Sequence, residues 1–600
     1  MHPIEILSEI FGFSKFRVGQ EEIINHLIGC GDTLAVMPTG AGKSLCYQIP
    51  ALIFKEQTIV ISPIVALMDD QVAALKDLDV PADRMHSSRK RRENIETWKR
   101  FSERKLKLLY LSPEALMAER FISALRKMKI AMFVIDEAHC ISKWGNNFRT
   151  DYAKLKSLSH LFPNSILAAF TATADKTTQL DISRKLLRRN VQTFVQGFDR
   201  PNLSLAVSLK INWRAQLLEF LANKREVSGI IYCLSRKQTE ITALFLNNNG
   251  FKSIAYHAGQ DAQLRKTNQN IFMTESKVIM AATIAFGMGV DKPDVRFVVH
   301  INLPGSIEAL YQEIGRAGRD GKSAETLLIY GFDDLVLRRR FIEEDGSDVE
   351  HKTQEHSRLD ALLAYCNTPT CRRKVLLAYF DEDSDRCSNC DNCITPTILL
   401  DGTSSAKILL LGISETGQSF GMMHLIDVVR GAKTAKIREW HHHRLESFGA
   451  GKAERKDFWR GLIQQLIGAG HVHVNIKRYG ALEITKCGLE ILYGEEEFKY
   501  RQFSKNIPKS YSNREKFSKQ IQSSLVPESD EKLLEELKAQ RMVLAKRSNL
   551  PAFVIFRDLT LLEMVQYKPK NREDFLALNG VGPKKLKKYG EIFLAIISSH

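Results

Sequence analysis

The chain has 600 residues, of which 44% are hydrophobic and 26% are charged, a composition typical of folded rather than disordered protein. At roughly 100 to 200 residues per domain, this length predicts about three to six domains. The formal net charge of +16 favours a partner that carries phosphates, because Lys and Arg gain affinity for nucleic acid by releasing condensed counterions. A solvated basic surface without such a partner is the alternative.

Neither a membrane segment nor a secretion signal is expected. No run of about 18 apolar residues occurs. The N-terminal MHPIEILSEIFGF contains two Glu and no basic stretch, unlike a secretory signal peptide. We therefore expect a cytoplasmic protein without a membrane partner, in which the ten Cys are mostly reduced.

Short apolar runs rich in Val and Ile alternate with amphipathic stretches from residue 1 to about 335. This pattern predicts buried parallel strands joined by helical crossovers, and therefore an α/β fold with doubly wound sheets. The strands are too many for one sheet, and GFDRPNL (197–203) has the composition of a junction, so we predict two α/β domains, 1–200 and 201–335. The runs are DTLAVM (32–37), TIVIS (58–62), LKLLYLS (106–112), MFVIDE (132–137), SILAAFTAT (165–173), GIIYCLS (229–235), SKVIMAAT (276–283) and FVVHINL (297–303).

Residues after 335 predict smaller, mainly helical units. Helical patterning over 336–400 ends in a Cys cluster, and 401–497 combines helices with VHVNIKRYGALEIT (472–485), two alternating runs around a Tyr-Gly turn that predict a hairpin. Residues 498–528 are polar and rich in Ser and Lys, typical of a flexible basic linker. Amphipathic helices resume over 529–600.

The stretch MPTGAGKS (37–44), between a predicted strand and a predicted helix, contains the GK[ST] end of a P-loop. Its backbone N–H groups would turn toward phosphate, Lys43 would reach the β- and γ-phosphates of ATP, and Ser44 would hold Mg²⁺. Met37 stands where the generic pattern has its first Gly, and a plain Gly-containing turn is the alternative. The expected nucleotide contacts are Thr39, Gly40, Ala41, Gly42, Lys43 and Ser44.

A second stretch completes this site. MFVIDEAH (132–139) is an apolar strand ending in two carboxylates, and ligands of open α/β sheets bind beyond the carboxyl ends of strands. Asp136 would face Mg²⁺, and Glu137 is placed to orient and deprotonate an attacking water. The alternative is a solvated acidic strand end.

A basic pair lies in YQEIGRAGRDG (311–321). Arg316 and Arg319 are three residues apart, which corresponds to one turn of a helix. An inserted Arg stabilises the charge that phosphoryl transfer spreads over the γ-oxygens. A basic cluster that caps a helix is the alternative interpretation.

Four grouped cysteines predict a closed metal site. Two overlapping CxxC spacings, with a fourth Cys fifteen intervening residues upstream, suit a tetrahedral Cys₄ zinc site that is structural rather than catalytic. Redox-active CxxC thiols are the rival, and disulfides are disfavoured in the expected compartment. The predicted ligands of one Zn²⁺ per chain are Cys371, Cys387, Cys390 and Cys393.

Taken together, the P-loop, DEAH, TATA (171–174) and QxxGRxGR segments resemble those of superfamily 2 helicases, and the finer match is to the RecQ family over essentially the whole chain. RecQ-like order and spacing also hold for FGFSKFRVGQ (11–20), VISPIVALMDDQV (60–72), YLSPE (110–114), GFDRPNL, IIYCLSRKQTE (230–240), YHAG (256–259) and ATIAFGMGVDKPDVR (282–296).

The resemblance implies an ATP-dependent 3′–5′ DNA helicase whose two RecA-like lobes bind ATP and Mg²⁺ in their cleft. Phe13 would stack on adenine, and Arg17 and Gln20 would contact its edge. The second lobe would add Gln312, Arg316 and Arg319, with Arg319 as the finger that reaches the phosphates. Single-stranded DNA would move along the tops of the lobes.

The resemblance also assigns the later units: a zinc-binding subdomain over 336–400, a winged helix over 401–497 and an HRDC-like domain over 529–600. Tyr479, near the hairpin tip, would press on the duplex end, or it packs as in an ordinary wing. The LNGVGPKKLKKYG segment (578–590) would grip DNA phosphates, or its lysines form a solvated helix face. Those lysines are Lys584, Lys585, Lys587 and Lys588.

Aromatic residues follow DEAH closely, and in RecQ proteins this loop senses single-stranded DNA. Trp144 and Phe148 would stack on bases, and Arg149 would contact phosphate or swing toward the nucleotide; packing of both rings into the lobe core is the alternative. The family usually has WGHDFR, whereas this chain has WGNNFR. Asn146 and Asn147 replace an ionisable pair with neutral amides, so the coupling between DNA and ATPase is expected to be weaker.

Two other classes remain open from the residues alone: an RNA helicase of the same superfamily, and a DNA-binding scaffold with a decayed motor. Intact Lys43, Glu137 and Arg319 argue against decay, and the Cys₄ cluster and C-terminal units argue against RNA. The expected partners are single-stranded and forked or tailed double-stranded DNA, and a single-stranded DNA-binding protein. The resemblance further implies a nucleoid-associated monomer acting in DNA recombination, repair and replication.

Overall fold

The computed structural model describes residues 2–38, 40–142, 150–287, 292–346, 349–396, 398–475, 478, 480–501, 530–548, 552–578 and 580–600. Two parallel sheets dominate the first 330 residues, and smaller helical units follow. Among the described residues, no helix is both long enough and apolar enough to cross a bilayer.

Lobe one contains a seven-stranded parallel sheet in the order β3-β4-β2-β5-β6-β1-β7. The central strands are buried along their length because helices cover both faces, which explains their continuous apolar sequence. Its strands are β1 Thr33–Val36, β2 Gln57–Ile61, β3 Ala82–Met85, β4 Leu108–Leu111, β5 Ile130–Ile135, β6 Ile166–Thr171 and β7 Gln192–Val195.

Lobe two contains a six-stranded parallel sheet in the order β10-β11-β9-β12-β13-β8. The α/β architecture with two doubly wound lobes, predicted from the apolar runs, is confirmed. Its strands are β8 Leu203–Leu209, β9 Ser228–Tyr232, β10 Ser253–Tyr256, β11 Ile279–Ala282, β12 Val295–His300 and β13 Ala324–Tyr330.

Helices form the layers on the two sheets. In lobe one they are α1 Pro3–Glu9, α2 Gln20–Ile28, α3 Lys43–Ile53, α4 Val65–Asp77, α5 Arg91–Ser102, α6 Pro113–Leu116, α7 Glu119–Leu125, α8 Thr150–Lys154, α9 Leu158–Leu161 and α10 Lys176–Leu186. In lobe two they are α11 Trp213–Leu221, α12 Arg236–Asn248, α13 Ala262–Thr274 and α14 Ile307–Ile314. Short 3₁₀ turns lie at Ala138–Ile141 and Leu155–Ser157.

The segment after lobe two is helical, as expected, and is followed by a small mixed unit. The helices are α15 Phe332–Glu344, α16 Val349–Asn367, α17 Arg372–Ala378, α18 Asp391–Ile394, α19 Thr403–Glu415, α20 Met422–Val429, α21 Ala435–Glu439, α22 Lys456–Gly468 and α23 Lys486–Tyr493, with a 3₁₀ turn at His442–Arg444. The predicted hairpin is present as antiparallel β15 Val472–Asn475 and β16 Ala481–Ile484. A second antiparallel pair joins β14 Leu399–Asp401 to β17 Lys499–Arg501.

The C-terminal unit is all-helical and has its own apolar core, which includes Leu537, Phe556 and Phe593. Its helices are Glu531–Ser548, Ala552–Ile555, Asp558–Tyr567, Arg572–Leu576, Pro583–Lys585 and Glu591–Ser598, with a π-helical turn at Leu586–Gly590. This unit packs on lobe one, where Gly580 N donates to the Gly12 carbonyl at 2.5 Å.

Candidate nucleotide, zinc and DNA sites

Three of the predicted motifs meet at one edge of the lobe-one sheet. The P-loop follows β1, the DEAH residues follow β5, and the TATA residues overlap the end of β6. Strands β5, β6 and β1 are neighbours in the sheet and run parallel, so their carboxyl ends lie side by side. This edge is where open α/β sheets bind ligands.

The P-loop backbone is shaped by two glycines and held by residues of FGFSKFRVGQ. Gly40 and Gly42 have φ of 86° and 84°, a region that only Gly occupies without strain. Arg17 donates to the Gly40 carbonyl, and the Gln20 amide donates to the carbonyls of Ala41 and Gly42 at 3.2 and 3.0 Å. Arg17 and Gln20, predicted to contact adenine, therefore contact the phosphate loop itself. Thr39 lies outside the described residues.

Asp136 and Glu137 lie directly beyond β5. The Glu137 N–H donates to Asp136 Oδ1 at 3.0 Å, and Glu137 Oε2 is buried and accepts no hydrogen bond from the residues that the structure describes. Burial and the Glu137 carboxylate raise the pKa of Asp136, while Lys43 opposes that rise. A divalent cation would relieve this buried negative charge. The donor set of Ser44, Asp136 and Glu137 therefore fits Mg²⁺ and a nucleotide phosphate.

A chain of polar contacts connects Glu137 to lobe two. His139 Nδ1 lies 3.4 Å from Glu137 Oε2 and 2.9 Å from Thr171 Oγ1. Thr171 Oγ1 donates to the Thr173 carbonyl at 3.1 Å, and the Gln312 amide of α14 donates to Thr173 Oγ1 at 2.7 Å. The TATA segment therefore contacts the residues that follow β5 on one side and the second lobe on the other.

The two arginines of the second lobe take different positions. Arg319 lies against the P-loop, with its Cγ 3.4 Å from where a β-carbon on Gly40 would stand. Arg316 is buried inside lobe two beside the Tyr232 hydroxyl. The expectation that both lie on one helical turn was wrong, because α14 ends at Ile314 and Gly318 (φ 57°) turns the chain.

Two residues of the junction were missed by the sequence analysis. Arg200 donates to the carbonyls of Ala317 and Gly318, both at 2.9 Å, and the Asn202 amide donates to the Gly318 carbonyl at 2.9 Å. They fix the irregular turn between Arg316 and Arg319. The sequence signal was GFDRPNL, which was interpreted as a domain junction and a RecQ-like segment, without a role for its Arg or Asn.

The four predicted zinc ligands converge. The Sγ atoms of Cys371, Cys387, Cys390 and Cys393 all lie within 4.8 Å of one another. A tetrahedral zinc–thiolate site with bonds of about 2.3 Å has S···S edges of roughly 3.8 Å, so the cluster fits the ion. Backbone N–H groups of Cys387 and Asn389 point at the sulfurs of Cys371 and Cys387, each at 3.4 Å, and stabilise thiolates.

The zinc subdomain is docked on the edge of lobe two. Asp391 accepts from the Val207 N–H of β8 at 3.0 Å and from the buried Arg372 guanidinium at 2.5 Å. Asn389 donates to the Pro201 and Leu203 carbonyls at 3.0 and 3.1 Å. These contacts bring the cluster next to the junction between the lobes.

Several predicted DNA contacts lie outside the described residues: Trp144, Phe148 and Arg149 in the loop after DEAH, and Tyr479 in the hairpin. The structure does place both flanks of the loop. Ser142 donates to Asp181 Oδ2 at 2.6 Å, and the buried Tyr152 hydroxyl donates to the Asp136 carbonyl at 3.0 Å. Tyr152, another residue that the sequence analysis did not single out, connects α8, which follows the loop, to the end of β5.

The four C-terminal lysines differ in their surroundings: Lys587 and Lys588 are exposed, whereas Lys584 and Lys585 are partly buried. Lys588 pairs with Asp77 at the end of α4, and Lys584 donates to the Leu78 carbonyl. Lys585 is half-buried, and burial with the nearby Arg557 lowers its pKa to about 8. Lys587 is exposed. Two of the four, Lys584 and Lys588, therefore contact lobe one, and half of the Lys588 side chain stays exposed to solvent.

The same unit approaches the predicted adenine site. The Arg557 guanidinium lies 5.1 Å from the centre of the Phe13 ring, and Asp558 lies 3.8 Å from Lys322 of lobe two. The C-terminal unit therefore contacts both lobes at the Phe13 end of the cleft.

Comparison with known families agrees with this order of units. Residues 17–181 match the DEAD/DEAH box helicase model, and 211–321 match the helicase conserved C-terminal domain. Residues 332–394 match the RecQ zinc-binding model, 396–509 the RQC domain and 530–597 the HRDC domain. Two RecA-like lobes with a P-loop and DEAH residues define a superfamily 2 helicase.

The additional units narrow the class, and the chain belongs to the RecQ family of ATP-dependent DNA helicases. It is 40% identical to the ATP-dependent DNA helicase RecQ of Haemophilus influenzae, with all of this chain and 96% of that protein aligned. The RecQ helicase of Pasteurella multocida is 39% identical, covering 100% and 94% of the two chains. That of Bacillus subtilis is 34% identical, covering 99% and 98%.

Family membership settles the broad alternatives. The chain is a DNA helicase with ATPase activity rather than an RNA helicase or a scaffold without a motor. The zinc-binding match, together with the converging sulfurs, favours a structural zinc site over redox-active thiols.

Proposed function

We propose that the protein moves 3′ to 5′ along single-stranded DNA and unwinds forked or tailed duplexes in recombination, repair and replication-fork processing. The observation that carries the motor part is the contact between lobes: Gln312 of lobe two donates to Thr173 of lobe one, and Arg319 stands at Gly40. A change in lobe spacing alters both contacts, so ATP turnover and lobe movement are coupled.

Each side chain at the cleft has a distinct part in hydrolysis. Lys43 would bind the β- and γ-phosphates, and Asp136 with Ser44 would hold Mg²⁺, which would neutralise phosphate charge. Glu137, whose buried Oε2 lies 3.4 Å from His139 Nδ1, takes the proton of the attacking water. Arg319 stabilises the charge on the γ-oxygens. Gln312 couples closure of the lobes to the TATA segment through its hydrogen bond to Thr173.

DNA would be gripped at three places. Trp144 and Phe148 stack on bases and Arg149 contacts phosphate, each stack contributing about 1–3 kcal/mol. Tyr479 presses on the duplex end. The HRDC-like domain contributes Lys584, Lys585, Lys587 and Lys588 to phosphate contacts, of which the first and last must leave lobe one before they reach DNA.

The setting follows from the same proposal. The enzyme works as a monomer in the cytoplasm, associated with the nucleoid, and has a single-stranded DNA-binding protein as a partner. The net charge of +16 suits long contact with nucleic acid.

Strand separation on matched 3′-tailed, 5′-tailed and forked duplexes, with and without ATP and Mg²⁺, tests the proposal. We expect ATP-dependent unwinding of the 3′-tailed and forked duplexes and little unwinding of the 5′-tailed one. Equal unwinding of the two tailed duplexes would contradict the polarity.

Lys43→Ala is the matched inactive enzyme. It should lose ATP hydrolysis and unwinding while DNA binding stays largely intact, because Lys43 lies in the cleft rather than on the proposed DNA path. Unwinding retained by this variant would contradict the assignment of the P-loop as the motor site.

A further inference from the structure

Helix α17 has a zinc ligand at one end and a residue at the lobe cleft at the other. Cys371 is the N-cap of α17 and Tyr379 is its C-cap. Two turns of hydrogen-bonded helix therefore connect one of the four zinc ligands to Tyr379. This helix therefore connects the zinc site to the residues that Tyr379 contacts in lobe two.

Tyr379 contacts the helix that carries Gln312. Its hydroxyl donates to Glu308 Oε1 at 2.6 Å, and Arg358 of α16 lies 3.6 Å from the same oxygen. Glu308 is 5% exposed and belongs to the first turn of α14. A buried carboxylate depends strongly on such partners, because an unmade hydrogen bond there leaves a desolvated charge.

Glu308 and Gln312 are four residues apart on α14 and therefore project from the same side of the helix. Gln312 reaches Thr173 of lobe one at 2.7 Å. Burial, Glu308 and, more weakly, Asp175 at the N-cap of α10 in lobe one raise the pKa of the Tyr379 hydroxyl well above its usual range. The hydroxyl thus stays a donor and lies near both lobes.

We propose that Tyr379 and Glu308 are positioning residues through which the zinc-binding subdomain fixes α14, and with it Gln312, against Thr173 of lobe one. The inference rests on the proposed role of Gln312 in coupling. It assigns the zinc subdomain a part in ATP turnover that is separate from holding the fold together.

The aromatic packing of this region supplies stability by itself. Phe380 stacks on Phe198 with ring centres 4.4 Å apart and lies 5.1 Å from the Tyr311 ring of α14. That packing, together with the hydrogen bonds of Asp391 and Asn389 to lobe two, keeps the subdomain docked independently of the Tyr379 hydroxyl. The hydrogen bond of the Tyr379 hydroxyl constrains α14 further. It depends on distance and angle, so it restricts the rotation of α14 about its axis and its shift along that axis more than ring contacts do.

The experiment compares Tyr379→Phe with Tyr330→Phe in the full-length, zinc-loaded protein. Tyr330 is a matched control: its buried hydroxyl also joins lobe two to the following helices, donating to Asn367 Oδ1 at 3.1 Å, but away from α14. Zinc content, KM for ATP and DNA-stimulated kcat are measured for each. We expect Tyr379→Phe to lower kcat about fivefold with zinc content and KM unchanged, and Tyr330→Phe to stay within about twofold of wild type.

The double variant Tyr379→Phe/Gln312→Ala tests the route. If Tyr379 acts through Gln312, the double variant is no slower than Gln312→Ala alone, because coupled residues are not additive. Full kcat in Tyr379→Phe, with a loss in Gln312→Ala, overturns this inference and leaves the proposed function intact. Full kcat in Gln312→Ala overturns both this inference and the proposed role of Gln312. If the fold losses in kcat of the two single variants multiply in the double variant, Tyr379 does not act through Gln312.

Substitutions at Glu308 test the same hydrogen bond from its acceptor side, and they serve if the Tyr379→Phe variant loses its zinc. Glu308→Gln keeps an oxygen that can accept from Tyr379 and should retain most of kcat. Glu308→Val removes the acceptor at similar volume and should lose kcat as Tyr379→Phe does. Equal kcat in the two Glu308 variants contradicts a role for the hydrogen bond.

Discussion

Glu137 has a left-handed backbone conformation that residues other than Gly rarely adopt, with φ 51° and ψ 46°. A left-handed residue costs roughly 1–2 kcal/mol and persists only where surrounding contacts enforce it. Here the N–H is held by Asp136 and the next residues form a 3₁₀ turn. The strain turns the carboxylate away from the strand direction and toward the Thr171 side of the cleft, where His139 also lies.

This strain gives a residue-scale prediction. Glu137→Ala and Glu137→Gly both remove the carboxylate and should both abolish ATP hydrolysis. Only the Gly variant also relieves the backbone strain, so lobe one should be about 1 kcal/mol more stable in Glu137→Gly than in Glu137→Ala. Scanning calorimetry should show a higher midpoint for the lobe-one transition of the Gly variant; a lower midpoint would mean that the φ of Glu137 carries no strain.

Asn146 and Asn147 carry a second prediction, made from the sequence because both lie outside the described residues. Two neutral amides cannot transmit a charge change that a His–Asp pair can. Asn146→His/Asn147→Asp should therefore raise the ratio of DNA-stimulated to basal ATPase rate. Equal ratios would leave Trp144, Phe148 and Arg149 as the working part of the loop.

At the scale of elements, strands that are apolar throughout were predictable and others were not. The run MFVIDE becomes the buried β5, whereas QTFV becomes the exposed edge strand β7 without any apolar run to mark it. Strand β3, with sequence ADRM, is half-buried and contains two charged residues that pair with neighbours. Such strands have no apolar run that would predict them from the sequence, because backbone pairing with the neighbouring strand stabilises them more than burial of their side chains does.

The candidate site divides in the same way. Lys43, Asp136 and the four cysteines were predictable because their chemistry needs fixed spacing along the chain. The end of α14 at Ile314 was not, since the two turns that follow depend on Arg200 and Asn202, more than 100 residues upstream. Contacts of that range have no local sequence pattern.

The zinc subdomain gives an element-scale prediction. Cys390→Ser should lose the metal and destabilise α17 and α18, because three ligands no longer close the tetrahedron. Elemental analysis should find one Zn per chain in the wild type and much less in the variant. Cys366→Ser is the matched control: Cys366 is buried nearby but outside the cluster, so it should keep the metal. Full zinc in Cys390→Ser would contradict the ligand set.

At the scale of the whole molecule, the HRDC-like domain is docked through contacts that no sequence pattern encodes. Lys584 and Lys588 lie at the C-terminal end of α4, where Lys side chains interact favourably with unpaired carbonyls and the helix dipole. Tyr589 adds a hydrogen bond to Asp77 at 3.3 Å. The basic helix that suits DNA phosphates thus has an internal acidic partner.

At this scale we predict that Asp77 and DNA phosphates compete for the same lysines of the HRDC-like domain. Asp77→Lys should repel Lys588, release the domain and enlarge the radius of gyration at low salt, as small-angle scattering would show. With the lysines free, affinity for tailed DNA should rise several-fold at low ionic strength, and the gain should shrink as salt screens the charges. Asp77→Lys/Lys588→Asp restores an opposite pair and should return the compact shape.

Glu103→Lys controls for the added positive charge, because Glu103 is on lobe one, far from the docked lysines in the chain, and its ion pair within the described part of the chain is with the exposed Lys105. It changes the net charge by the same amount without touching the docking contacts. If Glu103→Lys raises DNA affinity as much as Asp77→Lys, general charge explains the gain. If only Asp77→Lys raises it and the charge swap reverses it, the docked domain competes with DNA for the same lysines, and their availability depends on the lobe-one surface that holds them.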